Sequence, residues 1–157
     1  MTVELIVVGK TDSQHVEALV EMYMRRIARY VKFAVTTVPD VKQGAKPAVA
    51  SQMRREGECI LRLLLPDDYV VLLDDKGQQM SSMEFASWLQ KRMNSSPRRL
   101  CFVIGGPYGF SPQVYERADS RLSLSRMTFS HQIVRAIFTE QLYRAYTILN
   151  NEPYHHE

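Results

Sequence analysis

The stretch Leu100-Cys101-Phe102-Val103-Ile104-Gly105-Gly106-Pro107-Tyr108-Gly109 carries the clearest fold signal in the chain. Its first five residues form a continuous apolar run, which is typical of a strand that is covered on both faces. The run ends in a glycine-rich turn, and a short helical pattern follows over residues 112–118. A buried strand that turns directly into a helix is the repeating unit of α/β folds.

The same alternation extends over the whole chain. Further strands are predicted over residues 3–8, 33–38, 69–73 and 121–125, and further helices over residues 15–30, 47–64, 82–93 and 131–150. We also predict a loop over residues 39–47, a turn over residues 74–77 and a helix cap at Ser82. The pattern predicts an α/β fold with a mostly parallel sheet and helices on both faces, in a single domain over residues 1–157.

Composition narrows the class of protein. Of the 157 residues, 45% are hydrophobic and 24% are charged, as in ordinary globular domains. No apolar run approaches the roughly 18 residues of a membrane span, and the N-terminus reads as a strand rather than a signal peptide. Cys59 and Cys101 lack metal-binding spacing, so we expect reduced thiols, a cytoplasmic protein and no membrane partner. The net charge of +3 permits a nucleic-acid partner without requiring one.

Three segments at the ends of predicted strands are candidates for a ligand site: Leu73-Asp74, Gly105-Gly106 and the loop after Ser125. The carboxyl ends of parallel strands meet at one edge of a sheet, so we expect these segments to lie close together. The glycine turn lacks a following Lys-Ser/Thr pair, and Pro107 removes one backbone donor. It is therefore a poor phosphate cradle. It suits close backbone approach to a flat, uncharged ring such as adenine. The alternative is a plain strand-to-helix turn.

Histidines supply the remaining titratable groups near this edge. His131 opens the last predicted helix, where a neutral, structural imidazole is expected because the helix dipole opposes positive charge. His155 and His156 lie in a short polar tail, and adjacent terminal histidines are often solvated and inert. No Asp, Glu or Cys stands at ligand spacing to either, so we predict no metal site.

Arginines are numerous for a small-molecule enzyme, and phosphate contact is their natural use. Arg135 and Arg144 on the last predicted helix are candidate RNA contacts. Tyr143 and Tyr146 on that helix, with Tyr154 beyond it, could stack on unpaired bases or serve as core or dimer contacts. These alternatives stay open on the sequence.

Several motifs in this order resemble the RlmH-type SPOUT methyltransferases. They are Ile104-Gly-Gly-Pro-x-Gly109, Leu124-Ser-x-Met-Thr-Phe-x-His131, Gln141-x-Tyr-Arg-Ala145 and a terminal Pro-Tyr-His. The strand that opens at Val3 and the segment Leu72-Leu73-Asp74 also fit, so that the resemblance covers the whole chain.

The resemblance implies a SPOUT fold with a C-terminal trefoil knot, a rare exception to unknotted topology. It implies an S-adenosylmethionine-dependent enzyme that methylates N3 of a pseudouridine in helix 69 of 23S rRNA on assembled ribosomes. It also implies a homodimer, in which the cofactor pocket of one chain meets the C-terminal tail of the other. The last helix, with a broad apolar set, would pack across the two-fold axis.

The resemblance also assigns residues. Leu73 would line the cofactor pocket, and Gly105 and Gly106 would form the turn against which the cofactor packs. The adenine would be wrapped by the loop Ser125-Arg126-Met127-Thr128-Phe129-Ser130, and Tyr154 and His155 would face the substrate. The family often has Arg or Lys where this chain has His156, so phosphate contact there would depend on pH.

Methyl transfer to an imide nitrogen requires that its proton leave. We hypothesise that His155 accepts that proton or orients the base, while Tyr154 holds the ring. Two other functions remain open: methylation of another RNA such as tRNA, and a non-enzymatic ribosome-binding factor with the same fold.

Overall fold

The computed structural model describes residues 1–40 and 48–156, and the strands of these residues form one five-stranded sheet. In chain order the strands are β1 (Thr2–Val8), β2 (Lys32–Val38), β3 (Asp68–Gln79), β4 (Arg99–Ile104) and β5 (Ser120–Ser123). Every neighbouring pair is parallel, and the order across the sheet is β2-β1-β4-β3-β5. The predicted parallel sheet is confirmed.

Helices cover both faces of the sheet, as predicted. They are α1 (Gln14–Ile27), α2 (Val49–Leu63), α3 (Ser82–Asn94), α4 (Pro112–Arg117) and α5 (Ile133–Leu149). α1, α3 and α5 pack on the face that carries Leu5 and Phe102, and α2 and α4 pack on the face that carries Ile6 and Val103. Connections that move toward the β2 edge cross the face covered by α1, α3 and α5, and those that move toward the β5 edge cross the face covered by α2 and α4. All four crossovers therefore have the same hand, as parallel sheets require.

β3 is longer than predicted, because the predicted turn over residues 74–77 lies within it. Leu122 of β5 is opposite both Leu73 and Gln78, so the intervening residues form an irregularity between two stretches of pairing. A Cβ atom on Gly77 would lie 2.8 Å from backbone atoms of Arg121 and Leu122. Only glycine permits this approach, and it lets β3 continue past the predicted end at Leu73.

Helix starts are set by local hydrogen bonds. Ser81, rather than the predicted Ser82, caps α3: its hydroxyl accepts from the backbone N–H of Glu84, whose carboxylate accepts from Ser81 N. The last helix begins at Ile133 rather than His131. The predicted loop over 39–47 lies, from residue 41 onward, outside the described residues, as does the predicted first residue of the second helix.

An ion-pair cluster closes the amino edge of the sheet. Arg99, the first residue of β4, contacts Asp68 of β3 and Glu4 of β1, with N–O distances of 2.5 Å in both pairs. Its guanidinium also donates to the Leu63 carbonyl at 2.7 Å. Four hydrogen bonds hold the guanidinium, and they join β4 to β3, β1 and the end of α2 at one point.

No helix within the described residues is long and apolar enough to cross a membrane. Cys59 and Cys101 are both free thiols, and Cys101 is buried in the sheet. The knot that the resemblance implies concerns threading, which the strand order does not test, and it stays a prediction.

Candidate active site

A cleft of about 440 Å³ lies at the carboxyl ends of β4 and β5 and beside the irregularity of β3, at the edge opposite the Arg99 cluster. This volume is in the usual range of small-molecule sites. Seven of the nine residues predicted to bind the cofactor line it: Leu73, Gly105, Gly106, Ser125, Met127, Thr128 and Phe129. The structure thus brings together segments that are more than fifty residues apart in sequence.

Arg126 and Ser130, the other two predicted cofactor residues, are not among the described residues that line the cleft. The hydroxyl of Ser130 instead accepts from the backbone N–H of Ile133 at 3.1 Å, which caps the first turn of α5. Leu124, which the prediction left out, does line the cleft. The apolar character of Leu124, directly after β5, is the sequence signal that could have identified it.

The glycine turn forms one wall of the cleft. The N–H of Gly109 donates to the carbonyl of Gly106 at 3.1 Å, and Gly109 has a φ of 83°, a conformation that favours glycine. A Cβ atom on Gly105 would lie 3.0 Å from Cε1 of Phe110. The wall is therefore peptide backbone with no room for side chains, as close approach to a flat ligand requires.

Glu56 of α2 lies directly behind this wall and was not predicted. A Cβ atom on Gly106 would lie 2.7 Å from its Oε2. The side chain is buried, with Gln52 Nε2 donating to Oε1 at 3.2 Å and no partner for Oε2 among the described residues. Burial raises the pKa of this carboxyl, since desolvation disfavours the charged form.

The loop from Leu124 to Ser130 forms the opposite wall and is held by its own serines. Ser123 Oγ donates to the carbonyl of Ser125 at 2.9 Å, and Ser125 Oγ accepts from Met127 N at 3.0 Å. Met127 is 77% exposed, so its thioether is available to a ligand. His131, expected to be a neutral structural residue, also lines the cleft.

A carboxylate stands on the rim at the end of the first stretch of β3. Asp74 Oδ2 accepts from Tyr115 Oη at 2.8 Å, and Oδ1 accepts from the backbone N–H of Lys76 at 3.1 Å. Burial by itself would raise the pKa of Asp74, but these hydrogen bonds outweigh it and lower the pKa below its ordinary value. Burial and the bond to Asp74 raise the pKa of Tyr115 to about 12.

The predicted catalytic residues Tyr154 and His155, which we call the tail, lie away from the cleft. They rest on a surface that α1 and α5 form, the tail platform. Tyr154 Oη donates to Glu140 Oε1 at 2.9 Å, and the Tyr154 ring meets the Tyr143 ring edge-on at 4.7 Å between centroids. Arg144 lies over the Tyr154 ring, 4.8 Å from its centroid, and its Nη1 is 3.1 Å from Nδ1 of His155. Tyr154 and His155 are absent from the described lining of the cleft. One chain therefore does not bring the two predicted parts of the site together.

Two predicted RNA contacts remain accessible. His156 is exposed, and the Arg144 side chain is 24% exposed while it pairs with Glu140. Their contact with RNA stays a prediction.

Arg135, the third predicted RNA contact, is only 1% exposed. Its guanidinium donates to the carbonyl oxygens of Val8 at 2.7 Å and Gly9 at 2.8 Å, and to Thr11 Oγ1 at 3.1 Å. Because these bonds occupy it inside the protein, the structure argues against the predicted RNA contact. The apolar residues that flank Arg135 in sequence were the signal for burial.

Comparison with known proteins agrees with this geometry. Residues 1–155 match the family described as predicted SPOUT methyltransferase. The chain is 56% identical over 157 residues to ribosomal RNA large subunit methyltransferase H of Porphyromonas gingivalis, with 100% of both chains covered. It is 55% identical over 156 residues to the protein of that name from Christiangramia forsetii, with 99% of both covered, and 52% identical to that of Parabacteroides distasonis over the full length of both. Matches over this length show the family, and the chain belongs to the SPOUT methyltransferase family.

Proposed function

We propose that this chain is an S-adenosylmethionine-dependent methyltransferase that modifies N3 of a pseudouridine in helix 69 of 23S rRNA on assembled ribosomes. The names of its relatives support a target in large-subunit ribosomal RNA. The observation that carries the proposal is the convergence of Leu73, the glycine turn and the loop after β5 on one cleft.

The cleft fits this cofactor chemically. S-adenosylmethionine has no phosphate, and the wall of Gly105, Gly106 and Pro107 offers shape rather than a row of anion-binding N–H groups. A Cβ atom on Gly105 would meet Phe110 and one on Gly106 would meet Glu56, so this wall is bare backbone, a surface on which a flat ring can pack. When bound, the cofactor would supply an electrophilic methyl group on a cationic sulfur. Among the described residues no cluster could hold a metal ion.

We further propose that the active site is completed by the tail of a second copy of the chain. Val134 lines the cleft and Arg144 carries the tail platform, ten residues further along α5. At 1.5 Å per residue the two points are about 15 Å apart along the helix axis. Separation of the cleft from the tail within one chain supports a site shared between two.

α5 also offers a face for that contact. Phe138, Leu142 and Tyr146 are buried in the core of their own chain, which leaves them no part in a partner contact. A half-buried stripe remains at three- and four-residue spacing, consisting of Val134, Ile137, Gln141, Arg144 and Ile148. Sedimentation at micromolar concentration should show a dimer, and a species of monomer mass alone would contradict the shared site.

The tail contacts place His155 beside a cation. Arginine can only donate, so Nδ1 of His155 accepts from Nη1 of Arg144. Both roles hypothesised for His155, acceptance of the imide proton and orientation of the base, remain part of the proposal. Burial and the contacts with Tyr23 and Glu140 raise the pKa of Tyr154, so its phenol stays protonated and holds the ring.

The decisive experiment is mass mapping of 23S rRNA from a strain that lacks the protein. We expect one methyl group to be missing from helix 69 and to return when the chain is supplied again. A methyl group missing from a tRNA instead would indicate the other RNA substrate. Calorimetric titration with S-adenosylmethionine that gives no heat would indicate a non-enzymatic factor.

The tail is tested by His155→Ala. We expect turnover on ribosomes to fall by about a hundredfold, which is typical when a positioned polar group is removed from a reaction centre. His15→Ala, at an exposed histidine on α1, is the matched control and should leave turnover unchanged. Turnover of His155→Ala near that of the parent chain would exclude a chemical role for His155.

A further inference from the structure

Among the described residues that line the cleft, Asp74 is the carboxylate whose two oxygens both accept hydrogen bonds. Tyr115 of α4 holds Oδ2 and the backbone of Lys76 holds Oδ1. A carboxylate has about four acceptor positions, and these contacts use two of them. Each oxygen therefore keeps acceptor capacity while its position is set, and the residue lines the cleft.

The charge of Asp74 has no ion-pair partner within 4.0 Å among the described residues. Arg121 of β5 is close, but its guanidinium lies over the Tyr115 ring, 4.4 Å from the centroid. The charged groups beside it on its own strand are Lys76 and Asp75, both exposed, and the side chain of Asp75 hydrogen-bonds to that of Asp74. His131 lines the same cleft. A negative charge is thus fixed at the rim and is not neutralised by a direct salt bridge.

We propose that Asp74 makes the cleft select the methyl donor over the demethylated product, with Tyr115 as the residue that positions it. The proposal rests on the proposed function and adds the residue that distinguishes the two forms of the cofactor. The donor has a cationic sulfur, and the product has a neutral one. A fixed carboxylate at the rim of a partly desolvated cleft attracts the cationic sulfur of the donor, and it has no such attraction for the neutral sulfur of the product.

Selection of this kind has a consequence for turnover. After the methyl group has left, the attraction that held the donor no longer acts on the product. Product release and reloading of the donor are then favoured by the same group, with no movement of the protein.

The test compares three ligands by calorimetry at one ionic strength: S-adenosylmethionine, S-adenosylhomocysteine and sinefungin, which has an ammonium group where the donor has its sulfonium. For Asp74→Asn we expect the Kd of both cationic ligands to rise about tenfold and that of S-adenosylhomocysteine to change by less than about twofold. Asp67→Asn removes the same charge at an exposed residue just before the opposite end of β3, and it should change none of the three.

Tyr115→Phe tests the positioning role and keeps the packing of the ring on Phe110 and Arg121. Loss of the hydroxyl removes one bond that lowers the pKa of Asp74, so that pKa should rise. As the pH is lowered, the variant should then lose its preference for the cationic ligands at a higher pH than the parent chain does. A merely structural tyrosine would leave this pH profile where it is.

The outcomes separate the two ideas. If the parent chain binds none of the three ligands, the proposed function fails. If it binds them and Asp74→Asn, folded by thermal melting, weakens all three equally or none, the selection by charge is overturned. An unchanged pH profile in Tyr115→Phe would overturn the positioning role even if Asp74→Asn did not fold.

Discussion

The two edges of the sheet are built on opposite principles. At the amino edge, Arg99 is surrounded by acceptors from Glu4, Asp68 and Leu63, and each buried charge has its counterpart. At the carboxyl edge, Glu56 keeps an oxygen without a partner among the described residues, and Asp74 keeps a charge without an ion pair. The first edge joins strands, and the second keeps polar groups available. Charge pairing therefore stabilises this fold at the edge where no chemistry is proposed.

Substitution of Arg99 should have the largest effect, and it should affect the amino edge alone. Arg99→Met leaves the buried carboxylate of Asp68 without its partner, and we expect a loss of about 3 kcal/mol in the free energy of unfolding. Urea denaturation measures it. The affinity for S-adenosylmethionine should stay unchanged, because the cleft is at the other edge.

Arg98→Met is the matched control, since Arg98 is exposed and adjacent. We expect it to shift stability by less than about 0.5 kcal/mol. Equal losses in the two variants would mean that the amino edge owes nothing to the Arg99 cluster.

Substitution at the glycine wall should show the reverse pattern. In Gly106→Ala the new methyl group meets Glu56 Oε2 at 2.7 Å, so that either the wall or the buried Glu56 side chain must shift. We expect the Kd for S-adenosylmethionine to rise about thirtyfold, which corresponds to about 2 kcal/mol of overpacking. Calorimetry measures the affinity.

A second substitution sharpens this test. Shortening Glu56 in Gly106→Ala/Glu56→Ala makes room for the methyl group and should restore part of the affinity. Affinity as low as in the single variant would show that the clash with Glu56 is not the cause.

How far the sequence predicts this molecule can be judged from a few residues. The apolar runs predict the strands along the chain and the sheet edge that carries the cleft, because burial imposes hydrophobicity locally, but they do not predict the order of the strands across the sheet. The continuation of β3 past Leu73 is invisible, because it depends on how closely Gly77 approaches β5. Glu56 is missed for a related reason: a polar residue on a helix is expected to be exposed until the fold shows what covers it. The RNA contact predicted for Arg135 overlooks its apolar neighbours in sequence, which indicate burial. The position of the tail depends on pairings such as that of Tyr154 with Glu140, which no local pattern predicts.

Glu56→Gln should give a smaller effect, and one that depends on pH. The folded pKa of Glu56 is raised, so the contribution of this group is fully present below its ordinary pKa of 4.5 and is lost as the pH rises through the folded value. The neutral variant should therefore be more stable than the parent chain at pH 8, by about 1 kcal/mol, and equal to it near pH 4.5. Thermal melts across this range measure the difference, and a constant difference would contradict it.

Mild acid should change the contribution of Asp68 to stability very little, which is the smallest effect expected. Burial alone would raise the pKa of Asp68, but the hydrogen bonds from Arg99 and from the backbone of Leu65 lower it. Its contribution to stability is present above the ordinary carboxyl pKa of 3.8 and is lost as the pH falls through the lower folded value. Melting of Asp68→Asn and of the parent chain should thus differ by a constant amount from pH 7 to 5 and converge in stronger acid. Convergence already at pH 6 would contradict this assignment.

The buried guanidinium of Arg135 has a consequence for motion. Through it the first turn of α5 donates hydrogen bonds to the carbonyls of Val8, the last residue of β1, and Gly9, which follows it. The end of β1 and the start of the last helix therefore open together or not at all. In amide hydrogen exchange they should behave as one cooperative unit, and heat that frees the helix would dismantle the floor of the cleft in the same event.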